Sequence, residues 1–178
     1  MTAAHCVQSQ LNSNFIVRIG EHDLIRPDHN TRDYKVERIV IHDNYSKNSG
    51  FKTPANINNA DIALLKITSD IHWNDYAWPV CFPPPDTTFA GHDAVVVGWG
   101  KRTEKSEVYS DKLQKVKLSI IDNKICQQWF RLAGRDMQIH ERIICAGYRH
   151  GGKDACHGDS GGPLLLKYHN GELKIVSH

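Results

Sequence analysis

Short apolar runs, alternating or continuous and each closed by Gly, Asn, Asp or Pro, constrain this chain more than any other feature. Phe15-Ile16-Val17-Arg18-Ile19, Tyr34-Lys35-Val36-Glu37-Arg38-Ile39-Val40-Ile41 and Ile62-Ala63-Leu64-Leu65-Lys66-Ile67 have this form. A period of two is that of a strand. Ala94-Val95-Val96-Val97 and Leu164-Leu165-Leu166 are continuous and read as buried strands; both are far short of the roughly 20 apolar residues that span a bilayer. Asn170-Gly171, between Leu164 to Tyr168 and Leu173 to Val176, is a hairpin signal, because a tight two-residue turn needs positive φ at both central positions. One stretch reads as a helix: Asp122 can cap a segment through Ile125, Cys126, Trp129 and Phe130, whose spacing gives an apolar face. The pattern predicts an all-β chain with one short helix, with no internal repeat and no low-complexity tract.

With 178 residues, 40% hydrophobic content and a net charge of +2, the chain suits one soluble domain or most of one. Nothing in its charge balance points to nucleic acid. Met1 runs directly into the segment around His5, with no basic start or apolar stretch, so no secretory leader is expected in these residues. The five cysteines, Cys6, Cys81, Cys126, Cys145 and Cys156, are an odd number and call for partners elsewhere or a missing piece; the missing piece is preferred. Pro83-Pro84-Pro85-Asp86 is a stiff connector.

Three motifs carry chemistry. Ser160 lies in Gly158-Asp159-Ser160-Gly161-Gly162-Pro163, His5 in Thr2-Ala3-Ala4-His5-Cys6, and Asp61 in Asp61-Ile62-Ala63-Leu64-Leu65. A serine hydroxyl is a weak nucleophile at neutral pH and needs an imidazole to take its proton. The imidazole needs a buried carboxylate on its other nitrogen to fix the tautomer and stabilise the imidazolium. Glycines beside the serine allow close backbone approach to a substrate, and the Gly158 and Ser160 amides are expected to form an oxyanion hole, each donor contributing about 3 kcal/mol. A lone histidine is usually an ordinary surface or core residue, and an Asp before an apolar run is often only a cap. Three long motifs in the order His, Asp, Ser make coincidence a poor account.

On these motifs the chain resembles a trypsin-like serine endopeptidase of the chymotrypsin fold. The resemblance implies two six-stranded antiparallel β-barrels, incomplete at both ends, over residues 1–178: the remainder of the first barrel in 1–82 and most of the second in 83–178, with the passage at the proline run. It implies His5, Asp61 and Ser160 as the catalytic triad. It also implies that Asp154 is the carboxylate at the base of the primary pocket, with Ala155, His157 and Ser177 as further substrate-binding positions. A carboxylate there selects Arg or Lys. Ala155, where some relatives carry a lysine-binding serine, tilts the choice to arginine, and His157 in place of a frequent glutamine makes extended specificity mildly pH-sensitive.

The resemblance further implies that Cys126 pairs with Cys145, a loop closure of about 3 kcal/mol. By the same resemblance Cys6 and Cys156 pair beyond this sequence, and Cys81 tethers an upstream propeptide. Ala94 and Leu166 stand where the family places another bridge. Asp159 corresponds to the carboxylate that meets the ammonium freed on zymogen activation; with the new N-terminus and the far pocket wall outside this sequence, the chain alone is expected to be inactive. The stretch from Ser46 to Ala60 looks longer than in digestive trypsins and is expected to narrow the cleft. That loop, with Arg131 to Gly147, is closer to regulatory proteases of invertebrate cascades.

Asn44-Tyr45-Ser46 is a glycosylation sequon compatible with secretion. Glu21, Asp23 and Asp28 lie in a segment that binds calcium in some relatives; no cofactor is required, and structural Ca2+ is the weaker expectation against a solvated acidic loop. The partners implied are protein or peptide substrates with Arg or Lys, protein protease inhibitors and the tethered propeptide, in an extracellular setting. The competing reading is a protease homologue that binds partners without catalysis; such proteins commonly lose the serine, and this chain keeps all three residues. A truncated isoform without its own role is the third.

Overall fold

The structure, a computed structural model, describes residues 1–10, 14–26, 28–45, 60–168 and 173–177. Two antiparallel sheets dominate it. The first joins β1 (Ile16–Ile19), β2 (Arg32–Ile41) and β3 (Ala63–Ile67) in that order. The second joins β4 (Asp93–Gly98), β5 (Gln114–Ile121), β6 (Cys145–Ala146), β7 (Leu164–Lys167) and β8 (Leu173–Ser177) in the order β6-β5-β4-β7-β8. The all-β class is as expected; the described strands form a three-stranded and a five-stranded sheet, without closing six-stranded barrels. The turn at Asn170-Gly171 lies outside the described residues, while the strands it was expected to join pair antiparallel.

Each sheet has its own small core. Beside the first, Ala4, Val7 and Ala63 are buried with Phe15, Ile39, Ile41 and Leu65 packed on them. Beside the second, Ala94, Ile120, Leu164 and Leu166 form the buried cluster. Ala94 and Leu166 are cross-strand partners in the β4–β7 register. At the two positions where the resemblance implied another bridge, this chain sets a small and a large apolar side chain face to face, held by burial.

Helix α2 (Asn123–Leu132) begins where the sequence indicated: the Asp122 carboxylate accepts from the Lys124 and Ile125 amides at 2.8 and 3.4 Å. Cys126, on its buried face, is bonded to Cys145 of β6. That bond ties α2 to the sheet edge. A further single-turn helix, α1 (Ala4–Val7), followed by the 3-10 turn Gln8–Gln10, was not foreseen. It is too short to show a helical period.

Strand β5 was also not among the expected strands, although Val116, Leu118 and Ile120 alternate with Lys115, Lys117 and Ser119 along it. The strands of the first sheet precede Pro83 and those of the second follow Pro85. The connecting stretch is itself held to the second sheet, because Ile175 N–H donates to the Cys81 carbonyl at 3.0 Å.

Candidate active site

Thr2 brings the three motifs together. Its N–H donates to the Ala63 carbonyl at 2.9 Å and its carbonyl accepts from Ala63 N–H at 2.8 Å, which fixes the His5 segment beside Asp61. Its hydroxyl donates to the Gly161 carbonyl at 3.5 Å, which brings the same segment to the serine loop. His5 follows on α1, whose buried Ala4 and Val7 anchor the turn and leave the imidazole outward.

Asp61 grips His5 at two points. Oδ1 accepts the His5 backbone N–H at 2.8 Å, and Oδ2 lies 2.7 Å from Nδ1. An ionised carboxylate can only accept, so in the neutral ring the proton sits on Nδ1 and the lone pair on Nε2. The sequence called for a buried carboxylate here; instead the two side chains are 48% and 35% exposed. Water therefore reaches the pair, and its electrostatic coupling is that of a surface rather than of a sealed site.

The group next to Nε2 is the Cys6 thiol, with Sγ at 3.4 Å; the same sulfur lies 3.6 Å from the Ser160 carbonyl oxygen. Among the described residues no hydrogen bond joins His5 to Ser160. Burial pushes the Cys6 thiol up from its ordinary value, the Asp61 charge adds to the rise, and the contact with Thr2 opposes it. The sulfur therefore stays protonated at neutral pH. Sequence reasoning assigned Cys6 no part in this geometry, although its place directly after His5 was the available signal.

The serine loop is shaped by glycines. Gly158 has φ of +97°, and a Cβ there would stand 2.6 Å from a Tyr109 ring carbon and 3.1 Å from the Gly100 Cα. Neither the Gly158 nor the Ser160 N–H is used in a hydrogen bond among the described residues, and both residues are exposed. Asp159 is held from two sides: Oδ1 accepts Gly100 N–H at 2.8 Å and Oδ2 accepts Cys156 N–H at 2.9 Å. This contact explains why glycine stands at both 98 and 100. A Cβ at Gly98 would overlap the Asp159 carboxylate, and one at Gly100 would come within 2.5 Å of it.

Asp154 and Asp159 line one cavity of about 220 Å³ together with Gly98, Gly100 and several basic residues. Asp154 is exposed, and its Oδ1 accepts the N–H of Ala155 at 2.8 Å. Ala155 and His157 are exposed nearby. The Ser177 side chain and residues 46–59 of the expected Ser46 to Ala60 cleft loop lie outside the described residues.

Glu21, from the segment weighed for calcium, is buried. Its Oε1 accepts the His22 N–H at 3.0 Å, while Oε2 has no hydrogen-bond partner. The cation nearest that oxygen is the Arg18 guanidinium at 3.7 Å, itself in a two-bond fork with Asp33. Asp23 turns instead to the Ile25 and Arg26 amides. Among the described residues no group of three or more potential ligands converges on a metal position.

Antiparallel sheets, a serine loop built on glycines and an Asp-gripped histidine define the class of a β-sheet protein with the parts of a serine hydrolase. The trypsin family profile matches residues 1–176 of this chain, and the chain belongs to that family. It is 36% identical over its whole length to the serine protease filzig of Drosophila melanogaster, of which it covers 10%. To coagulation factor XI of Bos taurus it is 37% identical over 94% of its length, covering 25% of that protein. To the venom serine protease Bi-VSP of Bombus ignitus it is 33% identical over its whole length and covers 48%. The chain thus spans between a tenth and about half the length of these relatives. No helix among the described residues is long and apolar enough to cross a membrane.

Proposed function

We propose that the chain is the catalytic part of a secreted serine endopeptidase, made as a zymogen, that cleaves after arginine or lysine with arginine preferred. The observation that carries this reading is the double grip of Asp61 on His5, which turns Nε2 away from the carboxylate to act as the base, on a turn that Thr2 fastens to the serine loop. Ser160 Oγ attacks the scissile carbonyl while His5 Nε2 takes its proton. The Gly158 and Ser160 N–H groups, both uncommitted, hold the oxyanion. His5 then returns the proton to the leaving amine, and water hydrolyses the acyl-serine by the same relay. Hydrogen bonds between nucleophile and base are often long or absent before substrate binds, so the Cys6 thiol beside Nε2 does not exclude this route.

Asp154 supports a basic side chain in the primary pocket, since a carboxylate at a cavity wall rewards a guanidinium or ammonium. Asp159 would accept the ammonium of an activated N-terminus in place of, or beside, its two amide donors. Cys81, exposed, suits a tether to a propeptide, and protein inhibitors of the trypsin class are the expected regulators.

A second reading, a homologue that binds without catalysis, draws support from the 3.4 Å contact of Nε2 with Cys6 in place of one with Ser160. Amidase activity of the full-length, processed protein on short peptides ending in Arg, Lys, Phe or Ala separates the two. Arginine-selective turnover abolished by Ser160→Ala is the expected result. A folded, processed protein with no turnover would establish the binding homologue instead.

A further inference from the structure

Three residues around Gly158 form a cluster that the triad does not use. Tyr109 and His157 present their rings 6.3 Å apart at an interplanar angle of 31°, and Lys101 Nζ stands 5.8 Å from the centre of the Tyr109 ring. The backbone fixes this arrangement: Lys101 N–H donates to the His157 carbonyl at 2.9 Å, and Ser110 N–H to the Trp99 carbonyl at 3.1 Å. The Tyr109 ring lies directly against Gly158, so whatever rests on it is a neighbour of the carbonyl held at that glycine.

The surroundings are positive. Lys101 lines the same cavity as Arg102, Lys115 and Lys153, and none of the four forms an ion pair among the described residues. Two carboxylates share that cavity, but Asp159 is occupied by the Gly100 and Cys156 amides, and Asp154 is the one that the protease reading above assigns to the cleaved residue. Glu104, Glu107 and Asp111, on the loop that carries Tyr109, make no ion pair with Lys101 either. Tyr109 and His157 are exposed and Lys101 half-buried, so the cluster is open to a bound chain.

We propose that Lys101, Tyr109 and His157 form a subsite for an Asp or Glu side chain of the substrate, within two or three residues of the scissile bond. The carboxylate meets the Lys101 ammonium, and its methylene stem lies on the Tyr109 ring, beside His157. The inference rests on the protease reading above and deepens it: the enzyme selects a basic residue at the cleaved position together with an acidic neighbour.

The test measures kcat/KM of the full-length, processed protein on arginine peptides that differ by Glu against Gln at one position, scanned on both sides of the bond. Glu is favoured by about threefold to fivefold at one position, the range of a solvent-exposed ion pair. The preference shrinks at roughly 0.5 M salt, where exposed charges are screened. It disappears in Lys101→Gln and turns against Glu in Lys101→Glu. Equal hydrolysis of all pairs at low salt, or a Glu preference that survives both Lys101 variants, overturns the proposal. Should no peptide be hydrolysed, the protease reading fails by itself, and the same Glu and Gln peptides titrated onto the Ser160→Ala protein still decide the subsite. Tighter binding of the Glu peptide at low salt supports it, and equal binding ends it.

Discussion

Asp61 does two jobs with two oxygens, one on the His5 backbone and one on its ring. Asp61→Asn keeps the shape but puts a donor where Nδ1 needs an acceptor, and this favours the wrong tautomer. The expected loss in kcat on an arginine amide is about 10⁴-fold with the fold intact; a loss under tenfold would remove Asp61 from the mechanism. Gly158→Ala places a Cβ at 2.6 Å from the Tyr109 ring in a left-handed conformation, so the loop must shift and one oxyanion donor with it. A fall in kcat of about 10²-fold or more at nearly unchanged KM is expected, and normal turnover would remove Gly158 from the hole. The three motifs were legible at this scale because each is a local string whose glycines and neighbours serve one side chain. Tyr109 was not, since its place comes from a contact across the fold with Gly158; Cys6 stood beside His5 in the sequence, but its approach to the Ser160 carbonyl also comes from across the fold.

Strand pairing explains why the second sheet needs no bridge between β4 and β7. Ala94 and Leu166 face each other at 0% and 4% exposure, among Ile120 and Leu164. Leu166→Ala leaves a cavity opposite an alanine that cannot fill it, and about 2–5 kcal/mol of stability should be lost by urea unfolding. A change below about 0.5 kcal/mol would mean that the pair does not carry the sheet. The element pattern was readable wherever a run had length and punctuation: β2, β3, β4, β7 and the Asp122 cap of α2 fall where the sequence put them. β6 spans Cys145–Ala146 alone, and α1 a single turn, so neither shows a period to read. β5 carried a clean alternation, Val116, Leu118 and Ile120 against Lys115, Lys117 and Ser119, so its strand was legible in the sequence and was missed.

Across the whole molecule, each sheet is laced by a carboxylate that holds a cation on the neighbouring strand. Asp33 on β2 takes the Arg18 fork from β1, directly opposite in register. Asp93 on β4 takes Lys117 of β5 at 2.7 Å and the Ser119 hydroxyl at 3.1 Å. The hydrogen bond from Arg18 holds the Asp33 carboxyl below its ordinary value of 3.8, and those from Lys117 and Ser119 do the same for Asp93. A carboxyl depressed in the folded state binds its proton more readily when unfolded. Its contribution is therefore complete above the ordinary value and is lost as pH falls through the lower folded value. Both pairs stand in solvent, so each contribution is small, but they act on different sheets and on the same side of neutrality. The urea midpoint should hold from pH 7 down to about pH 5 and then fall through the acid range. In a variant with Asp33→Asn and Asp93→Asn, the midpoint at pH 7 should be lower and the acid fall shallower, since the lost titrations are absent. An acid fall of unchanged depth in that variant would assign the loss to other carboxylates. A fall that instead begins above pH 6 would take both pairs out of the acid transition, since neither carboxyl changes charge there.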